Sequence, residues 1–170
     1  EEALKSSYNL EFLGIRQAVK ERELENQLID KLRDFILELG YGFCFIGRQH
    51  RLTLGRKEYF IDLLFYHRKL RRLVVIDLKL GKFRAADKGQ VELYLRWLDK
   101  YERQPGEKSP LGIILCAGKK EEQIELLELS RSGIHVAEYL TELPPRELLA
   151  ERLQRAVKTA RARLEAYDDQ

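Results

Sequence analysis

The chain has 170 residues, of which 44% are hydrophobic and 35% charged, and its formal net charge is +3 at pH 7. This length suits one domain with its own hydrophobic core and is too short for two of ordinary size. The sequence shows neither an apolar run of transmembrane length nor a signal-peptide pattern, so we expect a globular cytoplasmic protein without a membrane partner. Cys44 and Cys116 lie in apolar segments without metal-type spacing, which predicts small buried side chains and no zinc site.

The first elements in chain order are a lead-in segment and a helix. Residues 1–16 contain apolar side chains without regular spacing, and this segment either lies across the domain or belongs to a neighbouring domain. From about Val19 to Leu39 apolar residues recur at helical spacing, and Gly40 is a suitable stop. Glu25 lies three residues before Leu28, so its side chain borders the apolar face that would pack on the core.

A run of predicted strands follows the helix. Residues 43–54 have the composition of two strands, or of one strand bent around Gln49, and a turn follows at residues 55–57. The stretch from Tyr59 to Phe83 then has the pattern of two apolar strands joined by a basic turn at residues 68–71. This hairpin contains the most informative charges of the chain.

Three of these charges share one side of the hairpin. Alternation places Asp62 on one face of the first strand, and Asp77 and Lys79 on one face of the second. An unpaired carboxylate is costly to bury, so both aspartates need compensation. A divalent cation would neutralise the two carboxylates while Lys79 stays beside them. The pattern therefore indicates a catalytic arrangement rather than ordinary packing.

A second helix is predicted from about Asp87 to Tyr101. Gln90 precedes the apolar positions of this helix by three to seven residues, which aims its amide toward the sheet as a buried group that needs hydrogen-bond partners. We expect Tyr94 to be a core residue that is able to touch Gln90. The predicted core stripe comprises Leu93, Tyr94, Trp97 and Leu98.

The C-terminal half predicts an α/β domain with a mixed sheet. Residues 111–116 and 134–139 have strand patterns, with a helical segment at 121–129 between them. After Pro144, one amphipathic helix extends from Pro145 to about Tyr167 and would pack on the domain or on a partner. The predicted organisation is a lead-in segment (1–16), a central domain (17–142) and this C-terminal helix (143–170).

The hairpin pattern resembles the PD-(D/E)XK nuclease superfamily, with Asp62 on one strand and Asp77-Leu78-Lys79 on the next. Longer strings around it resemble the bacterial YhcG-type family, whose C-terminal half is such a nuclease domain. The resemblance extends from about Tyr8 to Leu140 and includes residues 38–52, 61–83, 88–95, 111–116 and 135–139. It implies a restriction-endonuclease-like fold and Mg²⁺-dependent cleavage of DNA phosphodiester bonds. It also implies a missing N-terminal winged-helix-like domain in the full-length protein.

The resemblance implies a role for each site residue. Asp62, Asp77 and the backbone carbonyl of Leu78 would coordinate Mg²⁺, for which Mn²⁺ is a substitute. Glu25 would complete the metal site, with Glu21 as the alternative one turn earlier. Lys79 would orient or deprotonate the attacking water or stabilise charge on the phosphate, and the ordinary pKa of lysine, near 10, favours charge stabilisation. Gln90 would be a functional glutamine on the helix after the lysine strand.

Two departures from the family pattern keep other interpretations open. Ile61 replaces the proline of the superfamily name, and Asp77 stands where glutamate is the usual choice. One alternative is therefore a DNA-binding or assembly module that has kept the nuclease fold and has weak or no activity. Another is an α/β domain unrelated to nucleic acid, in which the charges form a buried ion pair.

Basic and polar side chains cluster in sequence around the hairpin. A phosphate backbone favours such clustering because each neutralised phosphate releases counterions, although a solvated turn is an equally good interpretation. The sequence leaves the oligomeric state open, and the C-terminal helix is a candidate interface for a homodimer. The candidate nucleic-acid contacts are Arg48, Gln49, His50, Arg51, His67, Arg68 and Lys82.

Overall fold

The computed structural model describes residues 4–14, 20–140, 157–158 and 160–164. The α-helices with defined bounds are α1 (Glu21–Asp30), α2 (Leu32–Leu39), α3 (Ala85–Tyr101) and α4 (Glu121–Leu126). The strands are β1 (Ser7–Asn9), β2 (Phe43–Leu54), β3 (Lys57–His67), β4 (Arg72–Leu78), β5 (Leu111–Cys116) and β6 (Ile134–Leu140). Short 3-10 turns lie at Glu11–Leu13 and Leu129–Ser132. In these ranges, no helix combines the length and the apolar composition needed to cross a membrane.

One mixed sheet of six strands, in the order β1-β6-β5-β4-β3-β2, organises the described residues. Its β2, β3 and β4 strands are antiparallel neighbours, whereas β4, β5, β6 and β1 run parallel. Helix α3 provides the crossover between β4 and β5. Parallel strands covered by helices are buried on both faces, which explains the continuous apolar runs of β4 and β5. The predicted α/β fold with a mixed, helix-flanked sheet is confirmed.

Two hydrophobic layers cover the sheet. On one side, Leu24 of α1 and Phe35 of α2 pack with Leu63 and Phe65 of β3. On the other side, Val91 of α3 packs with residues of β3, β4, β5 and β6. Because Asp77 lies near the end of the central strand β4, it has covered sheet on both sides and is only 4% exposed.

The lead-in segment contributes an edge strand to this sheet. Strand β1 pairs in parallel with β6, and Tyr8 and Leu10 are fully buried. The helix predicted as one element is two, because Lys31 leaves helical geometry at φ −115° and ψ 41°. The Nζ atom of Lys31 donates to the carbonyl of Phe12 at 3.0 Å, which ties this break to the lead-in segment. Residues 15–19 lie outside the described ranges.

Helix α3 is rotated relative to the prediction. Its buried residues are Val91, Tyr94, Leu95 and Leu98, and Trp97 is partly buried against the same layer, so the predicted stripe is wrong at Leu93. The rotation keeps the Trp97 indole at the rim of the core, where Nε1 donates to the carbonyl of Thr53 at 3.1 Å. The side chains of Leu93 and Trp97 are both partly exposed. A polar N–H is easier to satisfy at the rim than in an apolar layer.

Two further predictions concern the chain beyond the sheet and the cysteines. The C-terminal helix predicted over residues 145–167 lies mostly outside the described residues, and positions 157–158 and 160–164 are helical. Cys116 is buried as predicted, but Cys44 is exposed because it lies on β2 at the edge of the sheet.

Candidate active site

A polar cleft of about 220 Å³ opens where β3 and β4 separate beneath α1 and α3. The cleft is lined by all five residues predicted to be catalytic, which are Glu25, Asp62, Asp77, Lys79 and Gln90. Residues not predicted there complete the lining. The full lining comprises Glu21, Arg22, Glu25, Gln49, Phe60, Asp62, Asp77, Leu78, Lys79, Gln90 and Tyr94.

Strand separation places Asp62 against the end of β4. Leu63 and Ile76 form the last paired residues of β3 and β4 on this side. Beyond them, the Oδ2 atom of Asp62 accepts a hydrogen bond from the backbone N–H of Leu78 at 2.8 Å. The carboxylate thus takes the place of a backbone acceptor and is held next to Asp77. This bond orients Asp62 without using a cation.

Asp77 is the most perturbed acid of the site. Burial, followed by the charge of Asp62, raises the pKa of Asp77 to about 7. Its Oδ2 atom lies 3.3 Å from Lys79 Nζ in an ion pair. The same buried oxygen accepts no hydrogen bond from the described residues. A buried carboxylate oxygen without a hydrogen bond, close to a second carboxylate, is incompletely neutralised.

Lys79 is held in place by its backbone. Its N–H donates to the carbonyl of Leu115 at 2.8 Å, and its own carbonyl accepts from the Tyr139 hydroxyl at 2.9 Å. Burial by itself lowers the pKa of Lys79, but the charges of Asp77 and Asp87 outweigh it and the net shift is upward. The Lys79 side chain is therefore an ammonium at neutral pH.

Asp87 is a site neighbour that the sequence analysis did not identify. It lies 3.9 Å from Lys79 Nζ and also accepts from the backbone N–H of Arg84 at 2.9 Å. It is the third residue of α3, where an acidic side chain is a common N-terminal capping partner. An acidic residue in the first turn of a predicted helix is the sequence signal that would have identified Asp87.

Glu25 and Glu21 lie in the cleft in different environments. Glu25 is 2% exposed, and its two oxygens accept from Arg48 Nε at 2.9 Å and from Gln49 Nε2 at 2.6 Å. Glu21 is one turn earlier on α1, and burial is the main cause that raises its pKa, with Lys79 opposing that shift. The charge of Glu25 is thus already compensated, whereas Glu21 faces the charges of the site.

Gln90 lines the cleft but is exposed, so its predicted burial is wrong. The rotation of α3 turns Val91 and Tyr94 toward the sheet and leaves Gln90 at the mouth. The Nε2 atom of Gln90 donates to the Tyr94 hydroxyl at 2.8 Å, which confirms the predicted contact. Burial, then the charge of Asp77, raises the pKa of Tyr94 to about 12, so the hydroxyl stays protonated.

His67 is wrongly predicted as a nucleic-acid contact, because it is fully buried. Its Nδ1 atom accepts from the backbone N–H of Leu70 at 3.1 Å, and its ring packs edge-on against Phe43 with 4.7 Å between centroids. The side chain therefore stabilises the turn between β3 and β4. The neighbouring basic residues in the sequence suggested a surface position for His67. The turn that it stabilises follows the last residue of β3, five residues beyond Asp62.

The other candidate nucleic-acid contacts occupy varied positions. Arg48 and Gln49 contact Glu25, as described above. His50 Nε2 lies 2.8 Å from Glu102, and Arg51 lies 3.5 Å from Glu58. Arg68 is exposed six residues beyond Asp62, which is roughly 20 Å along a strand. Lys82 is exposed after the end of β4.

The donor set fits a hard divalent cation. In the described part of the chain, no three His, Cys, Asp or Glu side chains form a cluster ready to hold a metal ion. Two carboxylates, Asp62 and Asp77, nevertheless meet in the cleft with the backbone of Leu78. Oxygen donors of this kind suit Mg²⁺, which keeps several waters and needs only one or two carboxylates from a protein. The buried Asp77 oxygen without a hydrogen bond is the observation that favours a cation here.

Comparison with known proteins gives a solved structure of similar fold. EndoMS, in a structure described as an EndoMS-dsDNA2 complex, has a TM-score of 0.51 and 21% sequence identity over 78% of this chain and 49% of that chain. A repair endonuclease from Pyrococcus abyssi has a TM-score of 0.49 and 21% identity, over 77% of this chain and 50% of that chain. The first similarity supports the restriction-endonuclease-like fold.

Sequence comparison identifies the family. The profile of the YhcG PDDEXK nuclease domain matches residues 1–158. The putative nuclease YhcG of Escherichia coli (strain K12) is 40% identical over 157 residues, which cover 91% of this chain and 42% of that protein. The chain thus spans less than half the length of this curated relative. PDDEXK nucleases generally use divalent metal ions. Because this profile matches most of its length, the chain belongs to the YhcG PDDEXK nuclease domain family.

Proposed function

We propose that this chain is a Mg²⁺-dependent DNA endonuclease domain that hydrolyses phosphodiester bonds. The observation that carries the proposal is the meeting of Asp62, Asp77 and Lys79 in one cleft, with a buried Asp77 oxygen that accepts no hydrogen bond from the described residues. Two acids that burial and mutual repulsion leave under-neutralised favour a cation, and a lysine beside them favours an anionic substrate.

The metal would be held by Asp62, Asp77 and the carbonyl of Leu78. A bound Mg²⁺, or Mn²⁺ in its place, would supply charge neutralisation at the phosphate and a lowered pKa for a nearby water. Of the two helix acids, Glu21 is the better additional ligand because both oxygens of Glu25 already accept short hydrogen bonds. Glu25 would then act indirectly, by holding the side chains of Arg48 and Gln49 in place.

Lys79 would stabilise negative charge on the phosphate. The nearby acids keep its side chain protonated, which suits an electrostatic role and not that of a general base at neutral pH. Gln90 Nε2 is engaged by Tyr94, so the amide oxygen of Gln90 is the atom left to accept a hydrogen bond from a water or a protonated group at the cleft mouth.

The substrate and partners of the whole protein belong to the same proposal. DNA is the proposed substrate class, and EndoMS, a protein of similar fold, has been solved in a complex with dsDNA. The 42% coverage of the curated relative is compatible with a further N-terminal winged-helix-like domain in the full-length protein. The proposed nuclease domain comprises residues 17–142 together with the edge strand β1, and the C-terminal segment is a candidate interface for a homodimer.

Cleavage of supercoiled plasmid and branched DNA tests the proposal. We expect nicking with Mg²⁺ or Mn²⁺, none with EDTA, and a loss of at least about 100-fold in Asp77→Asn and Lys79→Met. Asp34→Asn is a matched control, since Asp34 is exposed on α2 outside the cleft. DNA binding without metal-dependent cutting would instead favour the DNA-binding or assembly module. Cutting that survives both cleft substitutions would show that the nuclease is a contaminant or lies elsewhere.

A further inference from the structure

Gln49 has an unusual backbone conformation beside the cleft. Its φ is 46°, in the left-handed region that residues other than glycine seldom adopt. The pairing of β2 with β3 also shifts register between Phe45 and Gly47, so the strand is irregular as it approaches Gln49. Left-handed residues in a strand re-aim the side chain, and such backbone outliers are concentrated at functional sites.

The re-aimed side chain reaches two carboxylates at once. Gln49 Nε2 donates to Glu25 Oε2 at 2.6 Å and, in a longer contact, to Asp62 Oδ1 at 3.4 Å. These carboxylates come from different elements, α1 and β3, so one amide links the helix to the strand. The other oxygen of Asp62 is held by the N–H of Leu78, which leaves the carboxylate with little freedom to rotate.

We infer that Gln49 is a positioning residue, whose amide fixes Asp62 at the angle required for metal binding and retains Glu25 as a support of that arrangement. The inference rests on the proposed nuclease function and goes beyond it, because it gives a strand residue outside the family's acid-and-lysine pattern a defined role. It also replaces the role predicted for Gln49 from sequence, which was contact with nucleic acid.

Arg48 completes the support. Its Nε atom donates to the second oxygen of Glu25 at 2.9 Å, so two consecutive residues of β2 hold both oxygens of this glutamate. Glu25 is thereby anchored and anchors Gln49 in return. Partners that orient a ligating carboxylate are typically worth about 10- to 100-fold in metal affinity or activity.

Two substitutions distinguish a role of the Gln49 side-chain amide from a role of its left-handed backbone. Glycine adopts a left-handed conformation freely, and asparagine adopts it more readily than most residues and has an amide that is one methylene shorter. If the backbone bend alone mattered, Gln49→Gly and Gln49→Asn would bind metal as well as the wild type. If the amide positions Asp62, both variants should bind metal more weakly, because neither side chain at position 49 reaches the Asp62 carboxylate. Arg71→Gly is the matched control, since Arg71 also has a left-handed backbone (φ 56°) but lies in the β3–β4 turn.

The measurements are calorimetric titrations of the 170-residue chain with Mg²⁺ and with Mn²⁺, and steady-state cleavage of plasmid DNA. We expect metal affinity to fall about 10- to 100-fold in both Gln49 variants, with a lower kcat and an unchanged KM for DNA at saturating metal. The Arg71→Gly control should keep the metal affinity and the cleavage kinetics of the wild type. Circular dichroism verifies that each variant is folded.

Three results would overturn the inference. Unchanged metal affinity in both Gln49 variants would leave the residue with a backbone role only. A raised KM for DNA with unchanged metal affinity would make it a nucleic-acid contact. A wild-type chain that binds no metal and cuts no DNA would overturn the proposed function together with this inference, whereas metal binding that survives without cutting would overturn the nuclease activity alone.

Discussion

Replacing Asp77 by asparagine should stabilise the metal-free protein, although it should abolish cleavage. Asp77 is 4% exposed, and burial with the charge of Asp62 raises its pKa to about 7 from the ordinary value of 3.8. Each pKa unit corresponds to about 1.4 kcal/mol, so ionising Asp77 in the folded state costs at most about 4 kcal/mol relative to the unfolded chain. Asparagine has nearly the same shape and no charge, which removes this cost.

The direction of the pH dependence follows from the raised pKa of Asp77. Below the unfolded-state pKa near 4, Asp77 is protonated in both states and costs nothing. As pH rises from about 4 to about 7, the folded state holds a proton that the unfolded chain has released, so the wild type progressively loses stability. Above pH 7 the loss is complete. The advantage of Asp77→Asn should therefore be absent near pH 4 and full at pH 8.

Urea denaturation in EDTA between pH 4 and pH 8 measures this difference. We expect the free energy of unfolding of Asp77→Asn to exceed that of the wild type by about 2 to 4 kcal/mol at pH 8, or roughly 5 to 10 °C in Tm. Asp34→Asn, which changes an exposed acid, should differ little from the wild type at any pH. An Asp77→Asn variant that is no more stable than the wild type at pH 8 would refute the claim that Asp77 is under-neutralised.

Three further predictions concern the cleft and the turn. Mg²⁺ at about 100 times its dissociation constant should stabilise the wild type by about 2.7 kcal/mol in thermal unfolding, and a comparable shift in Asp77→Asn would contradict the assigned ligand. DNA binding, measured by fluorescence anisotropy with Ca²⁺ as a non-cleaving cation, should be weaker in EDTA, and equal affinity in both would show that the cleft does not contact phosphate. His67→Ala should cost about 2 kcal/mol or more in urea denaturation without weakening DNA binding, whereas weaker binding by a stably folded variant would restore the predicted contact.

Short-range patterns predicted much of the fold and the central charges. The period of two in β3 and β4 was sufficient to bring Asp62 near Asp77 and Lys79, because alternation is a property of any extended strand. Strand and helix composition similarly indicated the mixed sheet. These features depend on neighbours in sequence, which a single sequence displays directly.

Features that depend on distant partners escaped the sequence. Gln49 appeared as a bend, but its amide contacts Glu25 and Asp62, which lie 24 and 13 residues away. In α3, leucines at positions 93 and 95 flank Tyr94 on both sides, so periodicity alone leaves the rotation of the helix ambiguous by about one position. His67 belongs to a basic stretch, and its burial depends on tertiary contacts, among them the Phe43 ring and the backbone N–H of Leu70.

The balance of charge in the cleft explains why a metal and a lysine would both be needed. Four carboxylates and two cations line it, and Glu25 is neutralised by Arg48, which lies outside that lining. The remaining acids, Glu21, Asp62 and Asp77, still outnumber Arg22 and Lys79 once Asp77 is ionised. A phosphate entering such a cleft would be repelled, and Lys79 alone cannot reverse that repulsion because Asp77 and Asp87 already surround it. A divalent cation held by Asp62 and Asp77 would offset this excess of negative charge, so that the ammonium of Lys79 could interact with the phosphate.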